Sequence, residues 1–245
     1  DSTIRRTQTY DLNGNKISLH VQYDNDADGI IDKINSTTQE YNAANKLTLH
    51  RFVTDSTNDG IVDSITTNTY SYNSLNQVTQ SVYERDTDAD ATPDFRAITQ
   101  TIYDANNNVV GSSYAEESAA DGTITYFKNI ASTFNSYNQV AERTESRDTN
   151  GDGTYEFIFN SSYVYTPNGQ QSSTTYSTDT TDDGIYEKVE VITKTYDEDD
   201  YVLSKVNTED SDNDGIIDSE KQTTYEYTEI EDGLLYYLGF LEDRD

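Results

Sequence analysis

A period of 31 residues runs through this chain without insertion or deletion. A repeat of that length limits the fold to a stack of like units, each leaning on its neighbours. Acidic residues mark it first: Asp28, Asp59, Asp90, Asp121, Asp152, Asp183 and Asp214 follow one another at this step. Tyr10, Tyr41, Tyr72, Tyr103, Phe134, Tyr165, Tyr196 and Tyr227 form an aromatic series in the same register. Two markers of different chemistry sharing one step make a repeat protein. Seven units fill residues 1–217, and residues 218–245 form a partial eighth with an apolar terminal strand.

Each unit has four parts. A β-branched stretch such as Ser64–Tyr72 reads as a strand. A turn opening with the aromatic follows (YDLNGN, YNAANK, YDANNN), then a second strand such as Lys46–Val53, then an acidic loop. Within the turn, Gly14, Asn45, Asn76, Asn107, Asn138, Gly169 and Asp200 share one column. Gly and Asn tolerate positive φ, so this column marks the left-handed position of a hairpin turn. No segment has the periodicity of an amphipathic helix. The hydrophobic fraction is 33%, below that of ordinary globular domains, so the core must be thin. Disorder is the competing reading of such a composition, but 21 Tyr, 7 Phe and only 2 Pro in a Thr-, Val- and Ile-rich chain favour strands. The tyrosine column is expected to pack each hairpin on the next.

The chain carries 46 acidic and 16 basic residues, a formal net charge of −30. That charge excludes nucleic-acid partners, which need a basic surface, and disfavours anionic membranes. The longest apolar run, Gly233–Leu241, is too short to span a bilayer, so no membrane insertion is expected. The absence of cysteine removes disulfides and thiolate metal sites. What remains is the chemistry of hard cations. The loops DNDADGIID (24–32) and DSDNDGIID (210–218) place Asp at positions 1, 3, 5 and 9 and Gly at 6. Alternating carboxylates converge on one centre, Gly permits the bend, and the position-7 carbonyl adds an oxygen. The ligands so predicted are Asp24, Asp26, Asp28, Ile30 and Asp32 in loop one, and Asp210, Asp212, Asp214, Ile216 and Asp218 in loop seven. Calcium suits such a set better than magnesium, which keeps its waters. Zinc and copper lack their His and Cys ligands.

The other loops grade downward. Asp55, Asp59 and Asp63 form loop two, with Thr57 as a weaker ligand. Loop five offers Asp148, Asn150, Asp152 and Glu156, and loop six Asp179, Asp183 and Glu187. Loop three has Asp86, Asp88, Asp90 and Asp94, but Ala91 replaces the Gly and Pro93 stiffens it. Loop four, Glu117–Thr125, has lost most ligands and is expected to be weak or empty, leaving about six calcium sites.

These DxDxDGxxD loops resemble thrombospondin type 3 repeats and related calcium loops of bacterial surface proteins. They differ from an EF-hand, since position 12 is Asn35 or Thr66 and no helices flank them. The tyrosine turns YDLNGN and YDANNN resemble the YD repeats of Rhs-type proteins, which form long β-hairpin arrays. Together the resemblances imply an extracellular or cell-surface protein of bacterial origin.

Two architectures fit a two-stranded unit: an antiparallel array of hairpins with calcium loops between them, or a parallel β-solenoid. The solenoid would stack acidic loops at ~4.8 Å and the array at ~9.6 Å, so charge repulsion favours the all-β antiparallel array. The expected function is structural: a calcium-rigidified fibre subunit or surface stalk. The alternative is a carbohydrate-binding or adhesive module that holds surface glycans on its tyrosines. No GxSxG, HExxH or phosphate-binding loop is present, so catalysis is not expected. His20 and His50 read as surface strand residues. Asn35 (NST) and Asn160 (NSS) match the acceptor pattern of a glycoprotein. Asp1 falls at loop position 9, and Asp243 and Asp245 at positions 3 and 5. Copies meeting head to tail would then share a loop, although a segment cut from a longer array would have the same ends.

Overall fold

The computed structural model describes residues 2–118, 121–229 and 235–243, with 228–229 and the last segment by their backbone. Every described element is a strand. The first seven are β1 (Thr3–Tyr10), β2 (Lys16–Asp24), β3 (Lys33–Tyr41), β4 (Leu47–Asp55), β5 (Ser64–Tyr72), β6 (Val78–Asp86) and β7 (Phe95–Tyr103). Next come β8 (Val109–Ser118), β9 (Ile124–Phe134), β10 (Val140–Asp148), β11 (Phe157–Tyr165) and β12 (Gln171–Asp179). The last are β13 (Lys188–Tyr196), β14 (Val202–Asp210), β15 (Ser219–Glu229) and β16 (Leu235–Asp243). They form one sheet whose strand order is the sequence order, and neighbours pair antiparallel. The fold is therefore an all-β array of linked hairpins. A parallel solenoid is excluded, because its neighbours would run the same way.

Contacts divide the chain into two compact units. One comprises Asp1–Ile102, Ser112–Phe127 and Asn150–Asp152; the other comprises Tyr103–Gly111, Lys128–Thr149 and Gly153–Asp245. In both units the connections alternate between a tight tyrosine turn and an acidic loop. The tyrosine turn closes on Asp11, whose carbonyl accepts the Gly14 N–H at 3.2 Å while its own N–H donates to Asn15 at 2.9 Å. The ladder bulges between Thr9 and Tyr10, and the same shift recurs at Tyr41, Tyr72, Tyr165 and Tyr196. The predicted left-handed column is borne out: Gly14, Asn45, Asn76, Asn107, Asn138, Gly169 and Asp200 all have φ between 57° and 86°. A one-residue bulge with a left-handed residue restores the twist that a plain turn would lose.

One determinant of this turn escapes the sequence reading. The Asp11 carboxylate accepts the N–H groups of Asn13 (2.9 Å) and Asn15 (2.8 Å). Asn42, Asn73, Asp104, Asn135 and Asp197 repeat the arrangement. The column directly after the aromatic is an acceptor that mimics a backbone turn; its restriction to Asp, Asn and Thr was the available signal.

Only Val21 and Ala97 are fully buried apolar residues among those described, whereas the buried polar set is much larger. The tyrosines act differently from simple packing. Each Tyr41, Tyr72, Tyr165, Tyr196 and Tyr227 hydroxyl donates to a backbone carbonyl of the preceding hairpin, at 2.6–3.3 Å. The acceptors are Lys16, Leu47, Val140, Gln171 and Val202. The aromatic series joins hairpins through a directional bond as well as through ring area. Turn amides add further links, such as Asn13 Nδ2 to Asn45 Oδ1 at 3.0 Å and Asn108 Nδ2 to Asn138 Oδ1 at 2.9 Å.

Candidate metal centres

An acidic loop begins where a strand ends, so its first ligand stands on rigid backbone. Asp24, Asp55, Asp86, Asp148, Asp179 and Asp210 each close their strand and are each at most 9% exposed. Burying a carboxylate is costly unless it is fully hydrogen-bonded or paired with a cation. One oxygen is satisfied inside the loop, because the position-6 N–H donates to it at 2.8–3.1 Å, from Gly29, Gly60, Ala91, Gly153, Gly184 and Gly215. The other oxygen, Oδ1, is buried with no hydrogen-bond partner in Asp24, Asp55 and Asp86. In Asp179 it accepts from Thr181 and Asp182, and in Asp210 from Asp214.

The remaining loop carboxylates are aimed by backbone donors. The position-2 N–H donates to the position-9 carboxylate, as from Asn25 to Asp32 (2.6 Å), Thr149 to Glu156 (2.6 Å) and Ser211 to Asp218 (2.7 Å). The position-7 N–H of Ile30, Ile61, Thr92, Ile185 and Ile216 donates to Asp28, Asp59, Asp90, Asp183 and Asp214, each at 2.8 Å. These bonds hold several groups in their charged form. The Thr87 hydroxyl and N–H keep Asp94 below the ordinary carboxylate range, the Ser211 hydroxyl does so for Asp218, and the Thr181 and Thr180 amides do so for Asp179 and Glu187. Ionised and crowded, such carboxylates repel one another unless a cation lies between them.

Five loops offer three acidic groups that could hold a metal ion. In four of them the candidate oxygens lie within 4.8 Å of one another inside a single unit. The sets are Asp24, Asp26 and Asp32; Asp86, Asp88 and Asp90; Asp179, Asp183 and Glu187; and Asp210, Asp212 and Asp218. The corresponding residues of loop five are Asp148, Asp152 and Glu156. There the Asn150 side chain accepts the Asp152 N–H at 2.8 Å. Among the described residues Asp55, Asp59 and Asp63 do not gather into such a set, despite good spacing. Asp28, Asp94 and Asp214 also stand outside the sets. Ile30 and Ile216, whose carbonyls are the position-7 candidates, are 65% and 67% exposed.

Two further features were missed in the sequence. Position 4 is left-handed in the six loops where it is described, with Ala27, Asn58, Ala89, Gly151, Asp182 and Asn213 at φ 53–77°. Successive loops also touch. Asn58 Nδ2 donates to the Ile31 carbonyl (2.8 Å), and a Cβ on Gly151 would stand 1.9 Å from the Ile124 carbonyl oxygen. In both cases position 4 of one loop meets position 8 of the loop before.

Loop four departs from the others in a specific way. Glu117 is paired with the Arg96 guanidinium, which also bridges to Glu84 at 3.2 Å. Arg96 occupies a column that elsewhere holds Thr3, Ile34, Ile65, Phe127, Ile158, Val189 and Glu220, and its one basic side chain was the signal. A guanidinium thus stands against the first-position acid. The loop also closes differently, through Ser118 N–H to the Thr123 carbonyl and Gly122 N–H to the Ser118 carbonyl, both 2.8 Å. Of the glycosylation acceptors, Asn35 pairs with Val21 and Thr54 within the sheet, and Asn160 accepts from the Thr144 hydroxyl at 3.2 Å. His20 Nδ1 meets the Ser36 hydroxyl at 3.0 Å. Asp1 and Asp245, and the side chains of Leu234–Leu241 and Asp243, lie outside the described residues, so the shared terminal loop does too.

No protein-family model matches the sequence, and no curated protein is significantly similar to it. Among solved structures the chain is similar to a porin-like protein from Bacteroides uniformis, with 11% identity, TM-score 0.30, 97% of this chain and 92% of that one covered. It is also similar to the Tc holotoxin pore of Photorhabdus luminescens, with 12% identity, TM-score 0.29, and 98% and 13% of the two chains covered.

Proposed function

We propose that this is a calcium-stabilised structural repeat protein of the extracellular space or cell surface, serving as a fibre subunit or stalk. The observation that carries the reading is the buried, unpartnered Oδ1 of Asp24, Asp55 and Asp86 at the mouth of acidic loops. A buried acceptor without a donor is costly to leave unmet, and a divalent cation meets it. All-oxygen donor sets select calcium over zinc or copper. Loops one and three combine the orphaned oxygen with a carboxylate cluster and bind most tightly. Loops five, six and seven follow, and loop two is a weaker sixth site. In loop four the Arg96 guanidinium takes the place of the ion. This is the ligand grammar in which the loops resemble thrombospondin type 3 repeats, while the tyrosine hairpins resemble YD repeats. Both likenesses favour an extracellular setting.

The role proposed is mechanical and not enzymatic. Within each unit the described hairpins meet in one register, so a second copy could add its own hairpin in continuation and extend the sheet. The deciding experiment is a calcium titration by isothermal calorimetry on the metal-free chain, with magnesium and zinc as competitors. Saturable binding of about five ions that millimolar magnesium does not displace supports the reading. Absence of calcium binding overturns it. Electron microscopy with calcium tests assembly, and particles of single-chain length at all concentrations would remove the fibre role.

A further inference from the structure

The second unit holds a cleft of 620 Å³ between the tyrosine turns of the hairpins β9–β10 and β11–β12. Its lining contains no charged side chain, although the molecule carries −30. Its walls depart from the repeat. Tyr137 is 81% exposed and is the one aromatic of a column that elsewhere holds Asn13, Ala44, Leu75, Asn106, Asn168, Asp199 and Ile230. Pro167 is the one proline of its column, and its fixed φ suits the second position of the turn closed by Gly169 N–H to the Thr166 carbonyl at 2.9 Å. The floor is rigid. Tyr165 donates its hydroxyl to the Val140 carbonyl (2.8 Å), Tyr163 donates to Ser161 Oγ (3.2 Å), and Gln139 Nε2 donates to the Gly169 carbonyl (2.9 Å). With two phenols fixed, ring faces and edges remain for a ligand. Polar groups ring them: the Thr166 hydroxyl accepts from Gln170 N–H at 3.1 Å and keeps its proton to donate, and Asn168, whose Nδ2 donates to Asp200 Oδ1 at 3.2 Å, brings its amide oxygen to the rim as an acceptor.

We infer that this cleft binds a neutral pyranose unit of a glycan. A sugar ring offers an apolar C–H face that stacks on a tyrosine and a rim of hydroxyls that exchange hydrogen bonds with amides and hydroxyls. The volume lies within the ~300–1,000 Å³ range of small-ligand sites. An uncharged lining neither attracts a cation nor offers a basic group to an anionic sugar, so the ligand is neutral. This inference is independent of the calcium reading, because none of the lining residues belongs to an acidic loop.

The test uses the full chain in calcium, with circular dichroism as the check of folding. Cellohexaose, maltoheptaose, chitohexaose, mannohexaose and galactohexaose are titrated by calorimetry, and contacts are read by saturation-transfer NMR. At least one is expected to bind, with saturation concentrated on one face of the ring. Tyr137→Ala should weaken it about tenfold, whereas Leu75→Ala, the same position two hairpins earlier, should leave it unchanged. Failure of all five sugars to bind the folded chain overturns the proposal. Equal effects of the two substitutions, or binding only of an anionic oligosaccharide used as control, overturn it as well.

Discussion

The phenol of each column tyrosine spans from one hairpin to the backbone of the one before, so its removal should be felt without disturbing the sheet. Tyr72→Phe or Tyr196→Phe deletes the 2.6 Å bond to Leu47 or Gln171 and should cost ~1 kcal/mol in urea denaturation. The same tyrosines give stability a definite pH dependence. Burial raises the Tyr72, Tyr165 and Tyr196 pKa above 10 and, outside the column, burial aided by Glu116 pushes Tyr114 to about 12. Folded values above the unfolded one mean that this stability is fully present below pH 10 and is lost as pH rises through the folded pKa values. Denaturation midpoints should therefore be level from pH 8 to 9 and fall between pH 10 and 12, less steeply in the Phe variants. Ala91 supplies a converse case. It sits at φ 77° where the other described loops carry Gly at 73–92°. Relief of that strain, less the entropy of a new glycine, should make Ala91→Gly more stable by roughly 0.5–1 kcal/mol. A lower melting temperature for Ala91→Gly would contradict this.

At the scale of the loop, donor geometry refines a ranking that the sequence already begins. Asp26→Ala and Asp212→Ala each remove a member of a gathered set, and each should take one calcium from the titration endpoint. Asp121→Ala should take none, since Glu117 beside it is held by Arg96. Equal losses at all three would mean that the arginine does not occupy the site. Loops also lean on one another through position 4. Gly151→Ala would drive a Cβ to 1.9 Å from the Ile124 carbonyl oxygen, against backbone that cannot swing away as a side chain can. The expected loss is upward of ~2 kcal/mol, measured by denaturation with calcium saturating.

Across the molecule, charge and a thin core act together. With two fully buried apolar residues described, burial alone offers little against the self-repulsion of a −30 chain. Five divalent ions would bring the formal charge to −20, each at the point where carboxylates crowd most. Excess EGTA should therefore lower the melting temperature by well over 10 °C, and 1 M NaCl should recover only part of it, because screening does not fill a buried acceptor. Superimposable melting curves with and without EGTA would refute the stabilising role.

The 31-residue step, the all-β hairpin array, the left-handed turn column and the position of every acidic loop follow from local chemistry, and local chemistry is written along the chain. The antiparallel direction was legible for the same reason, since a short turn can only return the chain beside itself. What only the tertiary structure decided depends on neighbours 20 or more residues away. Arg96 reaches Glu117 from another strand, the tyrosine hydroxyls reach carbonyls 25 residues back, and Gly151 meets Ile124 across two loops. Spacing alone made loop two as good a site as loop six; which carboxylates converge depends on side-chain direction within the folded loop, and no one-dimensional pattern carries that.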